Sequence, residues 1–340
     1  MPAFTLNHLT AFRIDTRPIM QRLIAHGVLR PNYGLLPGVD IQVEGLDRIP
    51  DEPVVFVMNH TDRFNYWPFQ YKLYRARNRF TATWVKPKNA EFWFIRWMYA
   101  RVNAIPMASR GYLITRDFLD TVGRKPSPAE YEVLRDMVDK ARLGDDDAVE
   151  EAEDRAHDQV PAVIFTRARD MLGRIFSPEY ERYATAQCAL FARMMDHALT
   201  LHDDVEAKGV DLLIFPQGTR SVRLSRGHAG AAQVILHGER PVVPVGCSGS
   251  DHVYPGNSPF ARRGRIIYRL GEPLRPTEDP ALRINEPFRP FSPATEARHG
   301  DRFRALTDLI MDRINELVDP PYQFSEDRES EGVRGNSRFL

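Results

Sequence analysis

The sequence predicts an α/β fold in which a central, mostly parallel or mixed sheet is flanked by helices and carries a helical insertion. Short apolar runs of strand length alternate along the chain with longer helical segments, and this alternation builds βα units. Most strand runs are apolar at consecutive positions, which is typical of strands covered on both faces. A chain of 340 residues, with 43% hydrophobic and 27% charged residues, can bury a core of this kind.

Composition narrows the class of protein. The two cysteines, Cys188 and Cys247, cannot form a disulfide framework or a thiolate metal cluster, and they fit a reducing compartment. No apolar run approaches the roughly 20 residues that span a bilayer, and the first residues lack the apolar core of a secretory signal. Basic and acidic residues balance at 46 each, so we expect no nucleic-acid partner. These features predict a cytoplasmic protein.

The first third of the chain predicts an N-terminal helical segment, 1–36, followed by the first half of the α/β domain, 37–111. Within the helical segment, Thr16 and Pro18 mark the start of a short helix. Strands and helices then alternate, with strands predicted at 41–45, 54–58, 80–85 and 101–107 and helices at 66–77 and 90–100.

A helical, partly acidic insertion is predicted over 112–176, after which the α/β domain resumes over 177–290. A C-terminal helix region follows over 291–324, and the polar composition of 325–340 predicts a disordered tail. The resumed domain contains a long helix over 177–209, strands at 211–215, 241–246 and 264–271, and a helix at 228–238.

Charge and aromatic residues cluster in the first half-domain. Residues 63–90 hold seven basic side chains and no acid, interleaved with aromatic residues. Solvated helix faces are one explanation, and phosphate-bearing lipids at a surface are another. The aromatic run from Phe92 to Tyr99 either packs in the core, lines an acyl channel or lies at a membrane interface. We therefore expect an anionic membrane surface as a partner, with the protein peripheral to the inner face of the membrane.

The first candidate site follows a buried strand in VVFVMNHTDRFNYWP, 54–68. The strand delivers Asn59 and His60 at its carboxyl end, which is the edge where ligands bind in open α/β sheets. A histidine at this edge is suitably placed for a general base, although a structural loop histidine gives the same pattern.

The second candidate site follows another buried strand in DLLIFPQGTRSVR, 211–223. Gly218 lets backbone N–H groups approach an anion, and the guanidinium of Arg220 offers a two-pronged fork for phosphate. A plain β-turn with a surface arginine would look the same. The phosphate-binding patterns GxxxxGK[ST] and GxGxxG are both absent from the sequence.

Together these segments resemble the glycerolipid acyltransferase family, whose members acylate glycerol 3-phosphate, lysophosphatidic acid and related lysophospholipids. The family's N-H-x4-D motif corresponds to Asn59–His60, and its F-P-E-G-T-R-S motif corresponds to FPQGTRS at 215–221. The resemblance covers about 40–275 apart from the insertion. Three further motifs correspond to a segment ending near Arg110–Gly111, to Val243–Pro244–Val245 and to Leu270–Gly271–Glu272–Pro273.

The resemblance implies a glycerol-3-phosphate acyltransferase-like fold and an O-acyltransferase activity. A fatty acyl group would pass from a thioester, either acyl-CoA or acyl-carrier protein, to a hydroxyl of a lysophospholipid or glycerol-phosphate-type acceptor, with His60 as the general base. No cofactor or metal is implied, because the acyl thioester donor and the lipid acceptor are the two substrates of the reaction. Substrate binding, around the acceptor's phosphate, is assigned by the resemblance to Arg110, Gln217, Gly218, Thr219 and Arg220.

Two carboxylates of the family pattern are replaced by amides. Asn65 stands five residues after His60, where the family has the aspartate that orients the histidine, and Gln217 stands in place of a glutamate. Asparagine can accept a hydrogen bond from the imidazole but cannot stabilise the imidazolium, and a comparable change in a serine protease costs about 10⁴ in rate. Asp62 offers a substitute carboxylate if the loop turns back; otherwise it caps a helix or pairs with Arg63.

Three functions therefore remain open. The favoured one is an active acyltransferase with an unusual site. The second is a catalytically silent family member that binds lipid or acyl chains or regulates a partner. The third is an acyltransferase whose acceptor carries no phosphate.

Overall fold

Nine strands form the sheets in the part of the chain that the structure describes. A computed structural model describes residues 3–34, 38–144 and 146–330. The strands in chain order are β1 (Val39–Glu44), β2 (Val55–Met58), β3 (Thr81–Val85), β4 (Ala104–Pro106), β5 (Arg169–Met171), β6 (Arg174–Phe176), β7 (Asp211–Ile214), β8 (Val242–Ser248) and β9 (Gly264–Leu270).

Helices flank and connect these strands. The α-helices in chain order are α1 (Leu6–Leu9), α2 (Ile19–Ile24), α3 (Arg30–Gly34), α4 (Tyr66–Arg77), α5 (Trp93–Tyr99), α6 (Arg110–Val122), α7 (Pro128–Leu143), α8 (Asp146–Gln159), α9 (Val163–Thr166), α10 (Tyr183–Ala207), α11 (Gly230–Gly238), α12 (Ser250–Val253) and α13 (Pro293–Leu317). A π-helical turn covers Ala25–Leu29, and 3₁₀ turns cover Leu46–Arg48, Pro87–Ala90 and Pro320–Tyr322. No helix among the described residues combines the length and the apolar character needed to cross a membrane.

The main sheet is mixed and mostly parallel, so the predicted fold class is confirmed. Its seven strands lie in the order β1-β9-β8-β2-β7-β3-β4. The five strands from β8 to β4 are parallel, while β9 runs antiparallel to β8 and pairs in parallel with β1. At the centre, Val57 of β2 lies opposite Ile214 of β7 on one side and Pro244 of β8 on the other. The carboxyl ends of β2 and β7 are therefore neighbours in the middle of one edge.

The central strands are almost entirely apolar because both faces of the sheet are covered. All residues of β2, β7 and β8 are buried, including the polar Asp211 at the start of β7 and Ser248 at the end of β8. Successive side chains of a strand point to opposite faces. Val55 and Val57 accordingly join one hydrophobic core, and Phe56 and Met58 join the other. This burial on both faces explains why the positions of the central strands could be predicted from short apolar runs.

Several element boundaries differ from the sequence prediction. The long helix α10 begins at Tyr183 rather than at Ser177, because residues 177–182 form a turn in which Tyr180 donates its backbone N–H to Ser177 O. Strand β4 begins at Ala104 rather than at residue 101, because Asn103 is left-handed (φ 55°) and its side chain hydrogen-bonds to the backbone of Asp15.

The predicted insertion is mainly helical, and it also contains the antiparallel hairpin β5–β6, which the sequence analysis missed. Its predicted start at 112 falls inside α6, whose Leu113, Ile114 and Phe118 are fully buried in the core. Its predicted end coincides with the end of β6.

The predicted segment boundary at 36 and the tail residues 331–340 lie outside the described residues. The described part of the tail contacts the body, which differs from the predicted disorder over 325–330. Arg226 donates its backbone N–H to Arg328 O at 2.9 Å, and the Arg328 guanidinium lies 4.4 Å from the centre of the Phe324 ring.

A buried histidine links α10 to β3. Trp84 Nε1–H donates to His202 Nε2 at 3.0 Å, so this nitrogen must be unprotonated. Burial, together with the charges of His237 and Arg240, lowers the pKa of His202 to about 3. His202 is therefore a structural residue of the interior.

We expect acid to destabilise the fold through this histidine. In the unfolded chain His202 titrates near its ordinary pKa of about 6.5, whereas in the folded chain it stays neutral to about 3. The unfolded state therefore binds more protons between these values, and the free energy of unfolding falls as the pH falls through that window. In His202→Gln, Gln Oε1 can still accept the Trp84 bond, but the amide does not titrate. Thermal unfolding should therefore show a smaller loss of stability for this variant than for wild type over the same window. His252→Gln, at an 81% exposed side chain, is the control. Parallel curves for wild type and His202→Gln would contradict the assignment.

Candidate functional site

The site begins where the loop after β2 meets the loop after β7. His60 donates its backbone N–H to Gln217 Oε1 at 2.9 Å, and its carbonyl oxygen accepts from the backbone N–H of Ser221 at 2.9 Å. Both polar groups of the His60 backbone are thus bonded to the 215–221 loop. The two sequence segments that predicted a site, 157 residues apart at His60 and Gln217, are held together by these bonds.

The His60 ring is fixed on two sides. It stacks on Phe215 with a centroid distance of 4.4 Å and an interplanar angle of 27°. Its Nδ1 lies 3.1 Å from Asn65 Oδ1. Asn65 Nδ2 donates to the carbonyl oxygen of Asn59 at 2.8 Å, which requires the amide nitrogen on that side and leaves the oxygen facing the ring. Because Oδ1 can only accept, Nδ1 carries the proton and Nε2 keeps its lone pair.

The environment keeps this ring neutral. Burial lowers the pKa of His60 to about 3; the Asn65 hydrogen bond opposes this change, and the positive charges of Lys86 and Arg220 add to it. The residue is half-buried by surface area, so solvent still reaches part of it. At neutral pH the imidazole is therefore an uncharged base with one available nitrogen.

Asn65 is immobilised by the strands around it. Its side chain has no exposed surface, and its backbone carbonyl oxygen accepts from the hydroxyl of Tyr268 at 2.5 Å. Asn59 ties the same loop to β8, because its Nδ2 donates to Cys247 O at 2.9 Å and its Oδ1 accepts from Cys247 N at 2.7 Å. The sequence analysis placed Asn59 at the strand end but missed its role and that of Tyr268, which depend on β8 and β9 lying beside β2.

Gln217 uses both ends of its amide. While its Oε1 accepts from the His60 backbone, its Nε2 lies 3.3 Å from Arg223 O and 3.4 Å from Ser225 Oγ. A carbonyl oxygen can only accept, so the group that faces Arg223 must be a donor. The side chain is 2% exposed and braces the loop internally. Its role in substrate binding, implied by the family resemblance, stays a prediction.

The remaining residues of this loop surround the turn. Gly218 has a φ of +66°, and a Cβ there would come within 2.8 Å of Cδ2 of His228, so glycine suits this position. Thr219 is half-buried, and Arg220 is exposed at the rim, beside His60 and Lys88, whose pKa values its charge lowers.

Two other predicted site residues make contacts elsewhere. The carboxylate of Asp62 accepts from Thr61 Oγ1 at 2.9 Å and from the Phe64 backbone N–H at 2.7 Å, so these bonds cap its own turn. Asn65, rather than Asp62, is the residue bonded to the His60 ring in the described structure. Arg110 pairs with Asp139 of α7 at 2.9 Å and lies 5.5 Å from the centre of the Phe191 ring, which joins it to the insertion. The structure does not bring Arg110 to the His60 loop through any contact of the described residues.

Three basic residues that the sequence analysis connected with a membrane surface follow strands at the edge of the sheet that carries His60. We call Arg63, Lys86, Lys88 and Arg220 the cationic rim. The charge of Lys86 acts on His60, and the charges of Arg220 and Arg63 act on Lys88. Burial and these positive neighbours lower the pKa of Lys88, whereas Glu91 raises it. The parallel strands explain the cluster, because Arg63 follows β2, Lys86 follows β3 and Arg220 follows β7 at the same edge. The described residues contain no group of three or more His, Cys, Asp or Glu side chains arranged to hold a metal ion.

Comparisons with known proteins give one structural likeness to report. No family model and no curated protein matches the chain. Among solved structures, the chain is similar to the 1-acyl-sn-glycerophosphate (LPA) acyltransferase PlsC from Thermotoga maritima, with a TM-score of 0.42 and 14% sequence identity over 90% of this chain and 85% of that one.

Proposed function

We propose that the protein transfers a fatty acyl group from an acyl thioester to a hydroxyl of a phosphate-bearing glycerolipid acceptor, with His60 as the general base. The observation that carries this proposal is the single bare nitrogen of a neutral His60, directed by Asn65 and flanked by the cationic rim. A neutral imidazole can take the proton of a hydroxyl, and cations beside it can hold a phosphate.

The proposed reaction needs only these side chains and the two substrates. His60 Nε2 takes the hydroxyl proton while the acceptor oxygen attacks the thioester carbonyl. The C–S bond then breaks, the thiolate leaves, and the imidazolium returns the proton to it. The products are an ester and a free thiol, and His60 is neutral again. Both acyl-CoA and acyl-carrier protein satisfy this chemistry as donors.

The two amides support an active site rather than a decayed one. An aspartate at 65 would direct a carboxylate oxygen at the Asn59 carbonyl, 2.8 Å from the present nitrogen, in a position with no exposed surface. A glutamate at 217 would do the same at the Arg223 carbonyl, 3.3 Å away. Unpaired or repelling polar groups in the interior are costly. Each amide therefore fits its surroundings better than the carboxylate that it replaces in the family pattern.

A phosphate on the acceptor would also supply the negative charge that the neutral Asn65 does not provide beside His60. Asn65 cannot stabilise the imidazolium that forms during proton transfer, and a base with a pKa of about 3 is weak. A phosphate dianion bound between Arg220 and Lys86 would offset the two charges that lower the pKa of His60. Binding the acceptor would thereby raise the basicity of His60 when the base is needed. An acceptor without phosphate would bring no negative charge to the cationic rim, which favours the phosphate-bearing class.

Replacing the base tests the activity itself. His60→Ala should lower kcat by about 10² to 10⁴, the range usual for a general base. Release of free thiol is measured with acyl-CoA and acyl-carrier-protein donors against a panel of lysophospholipids and glycerol phosphates. His252→Ala, at an exposed position, is the control. Absence of thiol release by wild type with every pair would favour the silent binding protein, and undiminished turnover by His60→Ala would remove His60 from the mechanism.

A second prediction concerns Gln217. Gln217→Glu should lower kcat by about tenfold or more with every acceptor, because a carboxylate facing the Arg223 carbonyl displaces the loop that holds His60. The acceptor KM should change little. The exposed Gln159→Glu of α8 makes the same chemical change away from the site and should leave the kinetics unaltered. An effect of Gln217→Glu limited to the KM of phosphate-bearing acceptors would instead assign Gln217 to substrate binding.

A third prediction separates phosphate-bearing from neutral acceptors. Arg220→Lys keeps the charge but loses the two-pronged guanidinium, so the KM of a phosphate-bearing acceptor should rise by about ten- to a hundredfold while that of the donor stays nearly constant. Arg226→Lys, at a 63% exposed side chain paired with Asp308, is the matched control. Preference of the wild type for neutral acceptors, with no effect of Arg220→Lys, would favour an acceptor without phosphate.

A further inference from the structure

We propose that the outer surface of α5 docks the protein on an anionic bilayer, with the cationic rim facing the lipid headgroups. We call Phe92, Trp93, Phe94 and Trp97 the aromatic face. This inference rests on the proposed function, because the bilayer would supply the lipid substrates. In a cytoplasmic protein this surface would be the inner face of the membrane.

The aromatic face is open to solvent. Phe92, Trp93, Phe94 and Trp97 are 49%, 64%, 47% and 41% exposed, respectively. Their rings form a continuous patch, with centroid distances of 6.1 Å from Phe92 to Trp93, 5.8 Å from Trp93 to Phe94 and 5.8 Å from Phe94 to Trp97. Single exposed apolar residues are ordinary, whereas four adjoining aromatic rings mark an interaction surface. This exposure argues against core packing, one of the alternatives for this run.

The charges around the aromatic face favour an anionic surface over a neutral or basic one, and the exposed tryptophan and phenylalanine rings favour a lipid bilayer as that surface. Glu91 is the one acidic residue between 63 and 110, and it is buried in an ion pair with Arg116. Arg101 lies with its guanidinium 4.6 Å from the centre of the Trp97 ring. Tryptophan and phenylalanine rings enter the boundary between headgroups and acyl chains, and adjoining cations attract anionic headgroups.

The basic stretch 63–90 contributes only in part to this surface. Arg63, Lys86 and Lys88 follow β2 and β3 at the carboxyl edge of the sheet. Arg79 precedes β3 at the opposite edge, where it forms an ion pair with the buried Asp211. Of the basic residues in this stretch, Arg63, Lys86 and Lys88 are therefore the ones that we propose to face the bilayer.

A chain of aromatic residues connects α5 with the site. Burial raises the pKa of Tyr66, and the neighbouring Tyr99, the last residue of α5, raises it further. The charge of Arg63 in turn acts on Tyr99, so these side chains are neighbours. Tyr66 packs at 6.3 Å from Phe215, which stacks on the His60 ring at 4.4 Å. Docking through α5 would therefore bring His60 near the bilayer surface, where the reacting hydroxyl of a lipid acceptor lies.

The test compares two variants of the full chain on vesicles. Wild type should bind phosphatidylglycerol-containing vesicles, and binding should weaken as salt rises. The double variant Trp93→Ala/Phe94→Ala should lose binding by about tenfold or more. Phe260→Ala removes a 67% exposed aromatic ring outside α5 and should bind as wild type does. Equal binding by wild type and the double variant, or an equal loss in Phe260→Ala, would overturn the proposal.

Two further measurements separate the possible failures. Sedimentation without vesicles reports self-association; a wild-type dimer that becomes a monomer in the double variant would assign the aromatic face to a second copy and overturn the bilayer proposal. Thiol release with a short-chain, water-soluble acceptor should be the same for the double variant and wild type, while release with vesicle-borne acceptor should fall. Vesicle binding that depends on the aromatic face without any thiol release would refute the enzyme and keep the docking surface. Thiol release from vesicle-borne acceptor that does not depend on the aromatic face would keep the enzyme and refute the docking surface.

Discussion

The candidate site depends on the paired hydrogen bonds between the His60 backbone and the loop after β7. One bond runs from His60 N–H to Gln217 Oε1 and the other from Ser221 N–H to the His60 carbonyl. They extend the contact between β2 and β7 beyond the last strand pair, so the position of the histidine is set by the sheet. A side chain on a free loop would have no such reference. The stacking of the ring on Phe215 then fixes its plane relative to the same loop.

Amides suit this arrangement because each must accept at one end and donate at the other. Asn65 joins an imidazole N–H to a main-chain carbonyl, and Gln217 joins a main-chain N–H to another carbonyl. A carboxylate has no donor unless it is protonated. Burial without a compensating positive charge would raise the pKa of such a carboxyl group. In the proposed reaction, Asn65 would fix the orientation of the imidazole but would not stabilise the imidazolium by charge. The compensating negative charge would then come from the substrate.

The sequence predicted the central sheet well, because strands buried on both faces leave uninterrupted apolar runs. It predicted the bounds of α4, 66–77, as the structure has them; the helix ends at the left-handed Asn78. It also brought His60 and Asn65 together, since they stand five positions apart in one loop. It could not predict the contact of Gln217 with His60, which depends on β2 and β7 being neighbours, or the pairing of Arg110 with Asp139, which depends on how the insertion packs. The hairpin β5–β6 was missed because strands of three residues are too short for a periodic signal.

The balance of 46 basic and 46 acidic residues conceals a division that the topology creates. Parallel strands place the residues that follow them at one edge and the residues that precede them at the other. Arg63, Lys86 and Arg220 therefore gather near His60, although they are far apart in the chain, whereas Arg79 is neutralised by Asp211 at the opposite edge. A local positive field arises in a protein without net charge. Burial is the main cause of the low pKa of His60, and the charges of Lys86 and Arg220 add to it. In the proposed reaction the same cations would attract the phosphate of the acceptor, and they would thereby link binding of the acceptor to activation of the base.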